Sequence, residues 1–258
     1  MKITVLAENV SYREDCKAEH GLSLYIETEN RTILFDMGQT DLFAKNAAVL
    51  GCDLKKVDTA ILSHGHYDHG GGLPAFLNIN DHAHVYLSRF AFGEYYHGED
   101  RYIGLDTSLR KHKRLRPVPD KLILDEAHSL HSCNLLPRSF DMGISDLTEK
   151  EKGKFIPDRY LHEQYLLVKE NGKRILISGC SHKGVLNLVS WFSPDVFVGG
   201  FHFSSIPEGD KLKNAAKLLS KRNTDYYTCH CTGVPQYEYM QKWMKRLRYV
   251  SVGTVFTV

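Results

Sequence analysis

The strongest constraint on the fold is a repeat: two stretches of the chain carry the same order of apolar runs and turns. Residues 22–38 read LSLYIETENRTILFDMG and residues 165–181 read YLLVKENGKRILISGCS, and each stretch has two apolar runs joined by a polar turn. The second turn is Asn171-Gly172, a strong signal for a β-hairpin. We therefore expect two similar hairpins, one in each half of the chain.

The segments that follow the hairpins repeat as well. A helical pattern comes next, at residues 41–50 and 183–192, and then a short apolar strand, at residues 57–62 and 195–198. Two ββαβ halves predict an α/β protein in which two sheets pack face to face with helices outside, a four-layer αββα sandwich. No linker rich in Gly, Pro or Ser divides the sequence, so we expect a single domain over residues 1–258.

The stretch at about 88–158 interrupts the two halves and has little clean periodicity. It holds an aromatic run at 90–96 and a basic run at 110–116. We interpret it as an insertion that carries loops and can act as a lid. Downstream, the patterns predict a helix at 209–221, a strand at 225–228, a helix at 235–247 and a final strand at 249–258.

Composition excludes several classes of function. The chain has 258 residues, and 33 Lys and Arg nearly balance 31 Asp and Glu, which argues against a nucleic-acid partner. No apolar run approaches the roughly 18 residues that span a membrane, and the apolar start is too short for a signal peptide. Six cysteines are too sparse for a disulfide scaffold, so we expect a cytoplasmic protein.

One segment concentrates potential metal ligands. Residues 59–73 read TAILSHGHYDHGGGL, where His64, His66, Asp68 and His69 follow an apolar strand. Alternate residues of a strand point to the same side, and imidazole with carboxylate suits Zn, Fe or Mn. The segment can therefore serve one or two divalent transition-metal ions, with zinc favoured and Mn or Fe as alternatives.

This spacing resembles the H-x-H-x-D-H signature of the metallo-β-lactamase superfamily. The likeness extends to further short motifs, namely Glu19-His20-Gly21-Leu22-Ser23, Leu34-Phe35-Asp36-Met37-Gly38, Ser178-Gly179-Cys180-Ser181-His182, Gly199-Gly200-Phe201-His202 and Cys229-His230-Cys231-Thr232-Gly233. Together they are similar to a branch of metal-dependent hydrolases related to a pterin–ribofuranosylaminobenzene 5'-phosphate synthase of methanopterin biosynthesis. The resemblance implies the αββα sandwich and a site for one or two metals between the sheet edges.

The resemblance also implies further metal ligands. Cys180 stands where the superfamily usually has a metal-bridging aspartate, and a thiolate there would favour a softer metal. His162 falls near the position of another family ligand, and His182 is the alternative for that role. His230 matches the last histidine ligand of the superfamily, whereas the neighbouring Cys231 is expected to point to the opposite face if the strand continues.

Four residues outside the ligand set are candidates for other roles. His202 can be a ligand or can bond a charge that develops on the substrate, which makes it a catalytic candidate beside Asp68. His20 belongs to a loop that commonly borders this site, and Arg114 of the basic run suits a phosphate-bearing substrate. Asp36 can orient a ligand imidazole through the other ring nitrogen.

These residues are compatible with three functions. The first is a metal-dependent hydrolase that uses a metal-bound hydroxide on a small phosphorylated or ester-type metabolite, with Asp68 orienting the nucleophile and His202 or His182 donating a proton. The second is a pterin-linked transferase that condenses a ribofuranosylaminobenzene phosphate. The third is a non-catalytic metal-binding protein. Each implies a small-molecule partner or metal rather than nucleic acid or membrane, and the sequence carries no signal for the oligomeric state.

Overall fold

The computed structural model describes residues 1–143 and 146–258. The strands are β1 (Lys2–Ala7), β2 (Ser23–Glu27), β3 (Thr32–Phe35), β4 (Thr59–Ile61), β5 (His84–Ser88), β6 (Tyr95–His97), β7 (Arg101–Tyr102), β8 (Leu115–Val118), β9 (Lys121–Ile123), β10 (His128–His131), β11 (Leu147–Glu151), β12 (Lys154–Pro157), β13 (Tyr165–Glu170), β14 (Lys173–Ile177), β15 (Val196–Val198), β16 (Asp225–Thr228), β17 (Leu247–Tyr249) and β18 (Val255–Thr257). The helices are α1 (Leu42–Leu50), α2 (Tyr67–Gly70), α3 (Leu73–Ile79), α4 (Val185–Phe192), α5 (Asp210–Ser220) and α6 (Val234–Met240). Short 3-10 turns cover Leu54–Lys56, Thr107–Lys111 and His230–Thr232.

Two large sheets confirm the repeat predicted from the sequence. The first sheet has the order β18-β1-β2-β3-β4-β5-β8 and the second has the order β17-β16-β15-β14-β13-β10-β9. In each half an antiparallel hairpin, β2–β3 or β13–β14, is followed by a helix and a strand that joins in parallel. Asn171 and Gly172 have φ of 52° and 72°, the left-handed backbone that a two-residue hairpin turn of this type requires.

The apolar faces of the elements explain the four layers. Leu24 of the first sheet and Ile175 of the second belong to one buried cluster that lies between the sheets. On the outer faces, Phe43 of α1 packs against the first sheet and Leu212 of α5 against the second. Each sheet therefore has two apolar faces, one for the other sheet and one for helices, which is the predicted αββα sandwich.

The stretch at 88–158 is distributed over three sheets. β8 completes the first sheet, β9 and β10 complete the second, and β6, β7, β11 and β12 form a separate sheet of order β12-β11-β6-β7. Residues 144 and 145 of this stretch lie outside the described residues. Among the described residues of this stretch, only the small third sheet stands apart from the sandwich. The expectation of a lid therefore applies to this sheet, and that role stays a prediction.

The C-terminal part differs from the sequence prediction. The helix expected at 235–247 ends at Met240, and the strand expected at 249–258 is two strands in different sheets, since β17 edges the second sheet and β18 edges the first. Gly253, with φ of 79°, lies between them and lets the chain turn from one sheet to the other. Within the described residues, every helix is too short or too polar to cross a membrane.

Candidate metal centre

The candidate ligands gather at one edge of the sandwich because they follow parallel strands. The segment with His64 and His66 comes after β4, Cys180 and His182 come after β14, and His230 comes after β16. The carboxyl ends of parallel strands meet at the same edge of a sheet, and ligands of α/β proteins commonly bind there. The fold thus brings together residues that are more than a hundred positions apart.

Three histidines form what we name the first metal set: His64, His66 and His182. Their candidate ligand atoms lie within 4.8 Å of one another. His64 Nε2 and His182 Nε2 are 3.3 Å apart. His64 and His66 are buried and His182 is partly buried, so the set is largely shielded from solvent.

Four further residues form the second metal set: Asp68, His69, Cys180 and His230. All four are buried, and their candidate ligand atoms also lie within 4.8 Å of one another. His69 Nε2 lies 3.2 Å from Cys180 Sγ and 3.2 Å from His230 Nε2. His230 Nε2 lies 3.2 Å from Asp68 Oδ2.

Hydrogen bonds behind the rings fix which nitrogen carries the proton in the second metal set. His69 Nδ1 donates to Asp36 Oδ2 at 2.7 Å. The amide oxygen of Asn9 accepts from Gly21 N at 3.2 Å, which orients the amide, and it accepts from His230 Nδ1 at 2.7 Å. Each neutral ring therefore keeps its lone pair on Nε2, so the lone pairs of His69 and His230 face each other.

The same carboxylate acts on the first metal set through Ser63. The Ser63 hydroxyl donates to Asp36 Oδ2 at 2.7 Å and so accepts from His64 Nδ1 at 2.8 Å. This leaves the lone pair of His64 on Nε2, which faces His182. Asp36 is fully buried, with φ of 59°, and it orients one imidazole in each set.

The lone pairs on Nε2 of His69 and His230 show whether these residues fit a metal ion. They repel unless a proton or a cation lies between them. Burial would lower the pKa of His69, but the carboxylates of Asp68 and Asp36 raise it to about 9, so this region of the site favours positive charge. Imidazole, thiolate and carboxylate donors are the set that divalent transition metals accept, and the residues present therefore fit one or two such ions.

Glu163, which the sequence analysis missed, holds the loop that carries His182. Its Oε1 accepts from His182 N at 2.6 Å and its Oε2 accepts from Lys183 N at 3.0 Å. Tyr165 OH donates to the same carboxylate, and Lys183 Nζ donates to the Glu163 carbonyl at 3.0 Å. These residues are almost fully buried, so the His182 loop is anchored from below. No spacing rule indicates such a contact.

Glu8 has a matching role for His230. Its Oε1 accepts from His230 N at 2.5 Å and from Tyr249 OH at 2.6 Å. Burial raises the pKa of Glu8 more than these hydrogen bonds lower it. Asn9 and Glu8 together show that the end of β1 supports the second metal set, although nothing in the N-terminal sequence indicates it.

The structure does not place His162 in the first or second metal set. His162 Nδ1 accepts from Gly65 N at 3.0 Å and His162 Nε2 donates to Asp158 Oδ2 at 3.1 Å. Both ring nitrogens therefore have protein partners, and His162 forms a separate candidate group with His66 and Asp158, whose ligand atoms lie within 4.8 Å of one another. The same Asp158 oxygen lies 3.8 Å from His66 Nε2, so His162 lies beside the first metal set, and its role as a ligand stays a prediction. Of the two alternatives, His182 is the residue that joins the first metal set.

Arg114 is also placed differently from the expectation. Its guanidinium donates to the carbonyls of Leu77 and Asn80, at the end of α3, and its side chain is buried. It therefore caps a helix carboxyl end and is not available to a substrate. Arg116 Nη2 contacts His84 Nε2, and none of the described residues that line the site cavity belongs to the basic run 110–116.

A cavity of about 610 Å³ opens above the two metal sets. His20 and His202 line it, as expected, and His20 Nε2 lies 3.3 Å from Asp68 Oδ2. The third sheet contributes His97 and Arg101, which are paired across β6 and β7, and Arg101 donates to Tyr67 OH at 2.9 Å. The other lining residues are Asn9, Gln39, His66, Ile103, Leu147, Cys180, His182, Ser204, His230, Cys231 and Gly233.

Comparison with known proteins identifies the family. A sequence model of the metallo-beta-lactamase superfamily matches residues 17–219. The chain belongs to the metallo-beta-lactamase superfamily. This superfamily member is 30% identical over 241 residues to an uncharacterized protein of Methanocaldococcus jannaschii, with 90% of each chain covered. It is 28% identical to the 7,8-dihydropterin-6-methyl-4-(beta-D-ribofuranosyl)-aminobenzene-5'-phosphate synthase of the same organism, with 90% of this chain and 88% of the synthase covered.

Solved structures show the same fold. Tm1679, described as a metal-dependent hydrolase of the beta-lactamase superfamily, matches with a TM-score of 0.87 and 27% identity over 100% of this chain and 99% of its own. Zinc-bound PqqB from Methylobacterium extorquens matches with a TM-score of 0.63 and 10% identity over all of both chains, which is a likeness of fold alone.

Proposed function

We propose that this superfamily member is a metal-dependent hydrolase that acts in the cytoplasm on a small phosphorylated or ester-type metabolite. One observation carries the proposal: the two metal sets lie side by side, and Asp68 and His182 belong both to these sets and to the wall of a single cavity. The likeness to Tm1679 supports a hydrolytic reaction. Zinc is the favoured ion because nitrogen, sulfur and carboxylate oxygen together are typical zinc donors.

Bound divalent metals would lower the pKa of water and polarise the scissile carbonyl or phosphoryl group. Asp68 can orient the attacking water, because its Oδ2 faces His20 and His230 as well as the cavity. Burial would raise the pKa of Asp68, but His69, His20 and His230 hold it well below its usual range, so the carboxylate stays an acceptor.

His202 is placed to donate a proton to a leaving group. It lines the cavity, and its ring lies 4.3 Å from the ring of His182. Burial would lower the pKa of His202, but the neighbouring Cys231 raises it above the ordinary value. A raised pKa favours the protonated imidazole, which is the state that a general acid needs.

A transferase reaction is the second candidate. The relative that is named as a phosphate synthase covers nearly the whole chain, and Arg101 gives the cavity a cation suited to a phosphorylated substrate. Hydrolysis and condensation give different products, so analysis of the products formed from one set of substrates distinguishes the two reactions.

The experiment loads the full chain with Zn, Mn or Fe and tests phosphoesters, lactones, thioesters and pterins. We expect hydrolysis of at least one class, loss of turnover with a chelator, and recovery when the metal returns. Release of pyrophosphate from a pterin pyrophosphate only when a ribofuranosylaminobenzene phosphate is present would favour the transferase. Bound metal with no turnover on any class would refute both and leave the non-catalytic function.

A further inference from the structure

Beside the second metal set lies another group of soft donors: Cys180, His202 and Cys231. They come from the loops after β14, β15 and β16, and their candidate ligand atoms lie within 4.8 Å of one another. Cys180 and Cys231 are buried and His202 is partly buried. All three also line the cavity.

Cys231 faces this group because the strand does not continue past Thr228. The residues after it form a short 3-10 turn, and His230 has φ of 50°, so the alternation of a strand does not apply. Cys231 Sγ approaches the Cys180 carbonyl at 3.5 Å, whereas Cys229 packs in the apolar cluster between the sheets. The two cysteines beside His230 therefore have different surroundings: Cys231 lies near Cys180, and Cys229 lies in the apolar core.

The backbone around Cys231 leaves space for its sulfur. A Cβ on Gly200 would lie 2.3 Å from Cys231 Sγ, so only glycine lets the sulfur come this close. Ser204 N donates to the Cys231 carbonyl at 3.0 Å, which fixes the residue in place. His202 is held with φ of 57°, an arrangement that costs energy and is common at functional sites.

Among the described residues, one ring nitrogen of His202 has no partner, which indicates a ligand beside this residue. His202 Nδ1 is buried and has no hydrogen-bond partner in the described part of the chain. Buried polar atoms are nearly always paired, so one without a partner indicates a missing water or ion. Because the other members of the group are thiols, an ion explains the set better than a water does.

We propose that Cys180, His202 and Cys231 bind an additional thiophilic metal ion, which shares the Cys180 sulfur with the second metal set. Two sulfurs and one imidazole nitrogen leave one position of a tetrahedral ion open to the cavity. Soft donors of this kind favour zinc or cadmium over magnesium or calcium. Binding releases into solvent any proton that the two sulfurs and the ligating His202 nitrogen carry, so a chain that holds this ion cannot use His202 as its proton donor.

The test counts ions and does not depend on turnover, so it stands apart from the hydrolase proposal. Reduced, metal-free full chain is titrated with Cd²⁺ and then freed of unbound ion for elemental analysis, while thiolate-to-cadmium absorption is recorded. We expect Cys231→Ser to bind one ion fewer than the wild type and to lose part of the absorption. Cys229→Ser, a buried cysteine outside the group, is the matched control and should match the wild type.

His202→Gln is the second variant, in case Cys231→Ser folds poorly by thermal melting. It removes an imidazole and leaves both sulfurs, so it should lose the same ion while keeping part of the absorption. Equal ion counts and equal absorption in wild type, Cys231→Ser and His202→Gln would overturn the proposal. A wild-type chain that binds no more ions than the first and second metal sets hold would overturn it as well.

Discussion

Replacing Asp36 by asparagine should weaken both metal sets at once. The carboxylate accepts from Ser63 N at 2.7 Å, from Ser63 Oγ at 2.7 Å and from His69 Nδ1 at 2.7 Å. Asparagine keeps an oxygen for Ser63 N but presents an amino group to the other two. His69 must then accept on Nδ1 and carry its proton on Nε2, where it blocks the lone pair that faces the second metal set.

The first metal set should respond through Ser63. When its hydroxyl no longer donates to Asp36, it can donate to His64 Nδ1 and move the proton of that ring to Nε2. Losing such an outer partner typically costs about 10–100-fold in metal affinity, or about 1.4–2.7 kcal/mol. Because one carboxylate orients a ligand in each set, we expect a loss of this size for each ion.

The assay is competition for Zn²⁺ with a coloured chelator at fixed pH. Asp58→Asn is the matched control. Asp58 Oδ2 also accepts from a backbone amide, Thr32 N at 2.7 Å, but Asp58 precedes β4, whereas the metal ligands follow that strand. Asp58→Asn should bind as the wild type does. A folded Asp36→Asn protein with wild-type affinity for both ions would refute the tautomer argument.

Three further changes test other parts of the site and fold. Asp68→Ala should lower turnover by about 10²–10⁴ and metal content by one ion at most; near-wild-type turnover would contradict the proposed role of the carboxylate. Glu163→Ala should lower the free energy of unfolding in urea by about 3 kcal/mol, because Lys183 stays buried without its carboxylate, whereas wild-type stability would show that the pair contributes little. Burial and two nearby lysines lower the pKa of His131 to about 4, so the fold should lose stability as pH falls from about 6.5 to 4. His131→Gln should reduce this slope in urea titrations at several pH values, and His82→Gln, the control, should leave it unchanged. A slope in His131→Gln equal to that of the wild type would contradict the argument.

Local signals explain why the sandwich could be predicted from the sequence. The turn at Asn171-Gly172 and the apolar runs beside it define a hairpin without reference to distant residues. The motif around His64 fixes its own geometry in the same way, because alternate residues at a strand end point to the same side. The resemblance to a family added the distant ligands His182 and His230, which no local pattern connects to that motif.

The remaining features depend on contacts between distant segments. His162 lies outside the first metal set, and its ring nitrogens contact Gly65 and Asp158, which no local pattern indicates. A charged run without periodicity gives no sign that Arg114 turns inward to cap a helix. The direction of Cys231 depends on where its strand ends, and strand ends are the least predictable part of a pattern.

Each metal set draws ligands from both halves of the chain, since His64 and His66 meet His182, and Asp68 and His69 meet Cys180 and His230. Bound ions would therefore act as cross-links between the two sheets. A ligand at a hundred times its dissociation constant adds about 2.7 kcal/mol to folding stability. Metal starvation should accordingly loosen the junction between the halves and expose the chain to proteases, so that the supply of metal in the cell sets how long each copy of the protein survives.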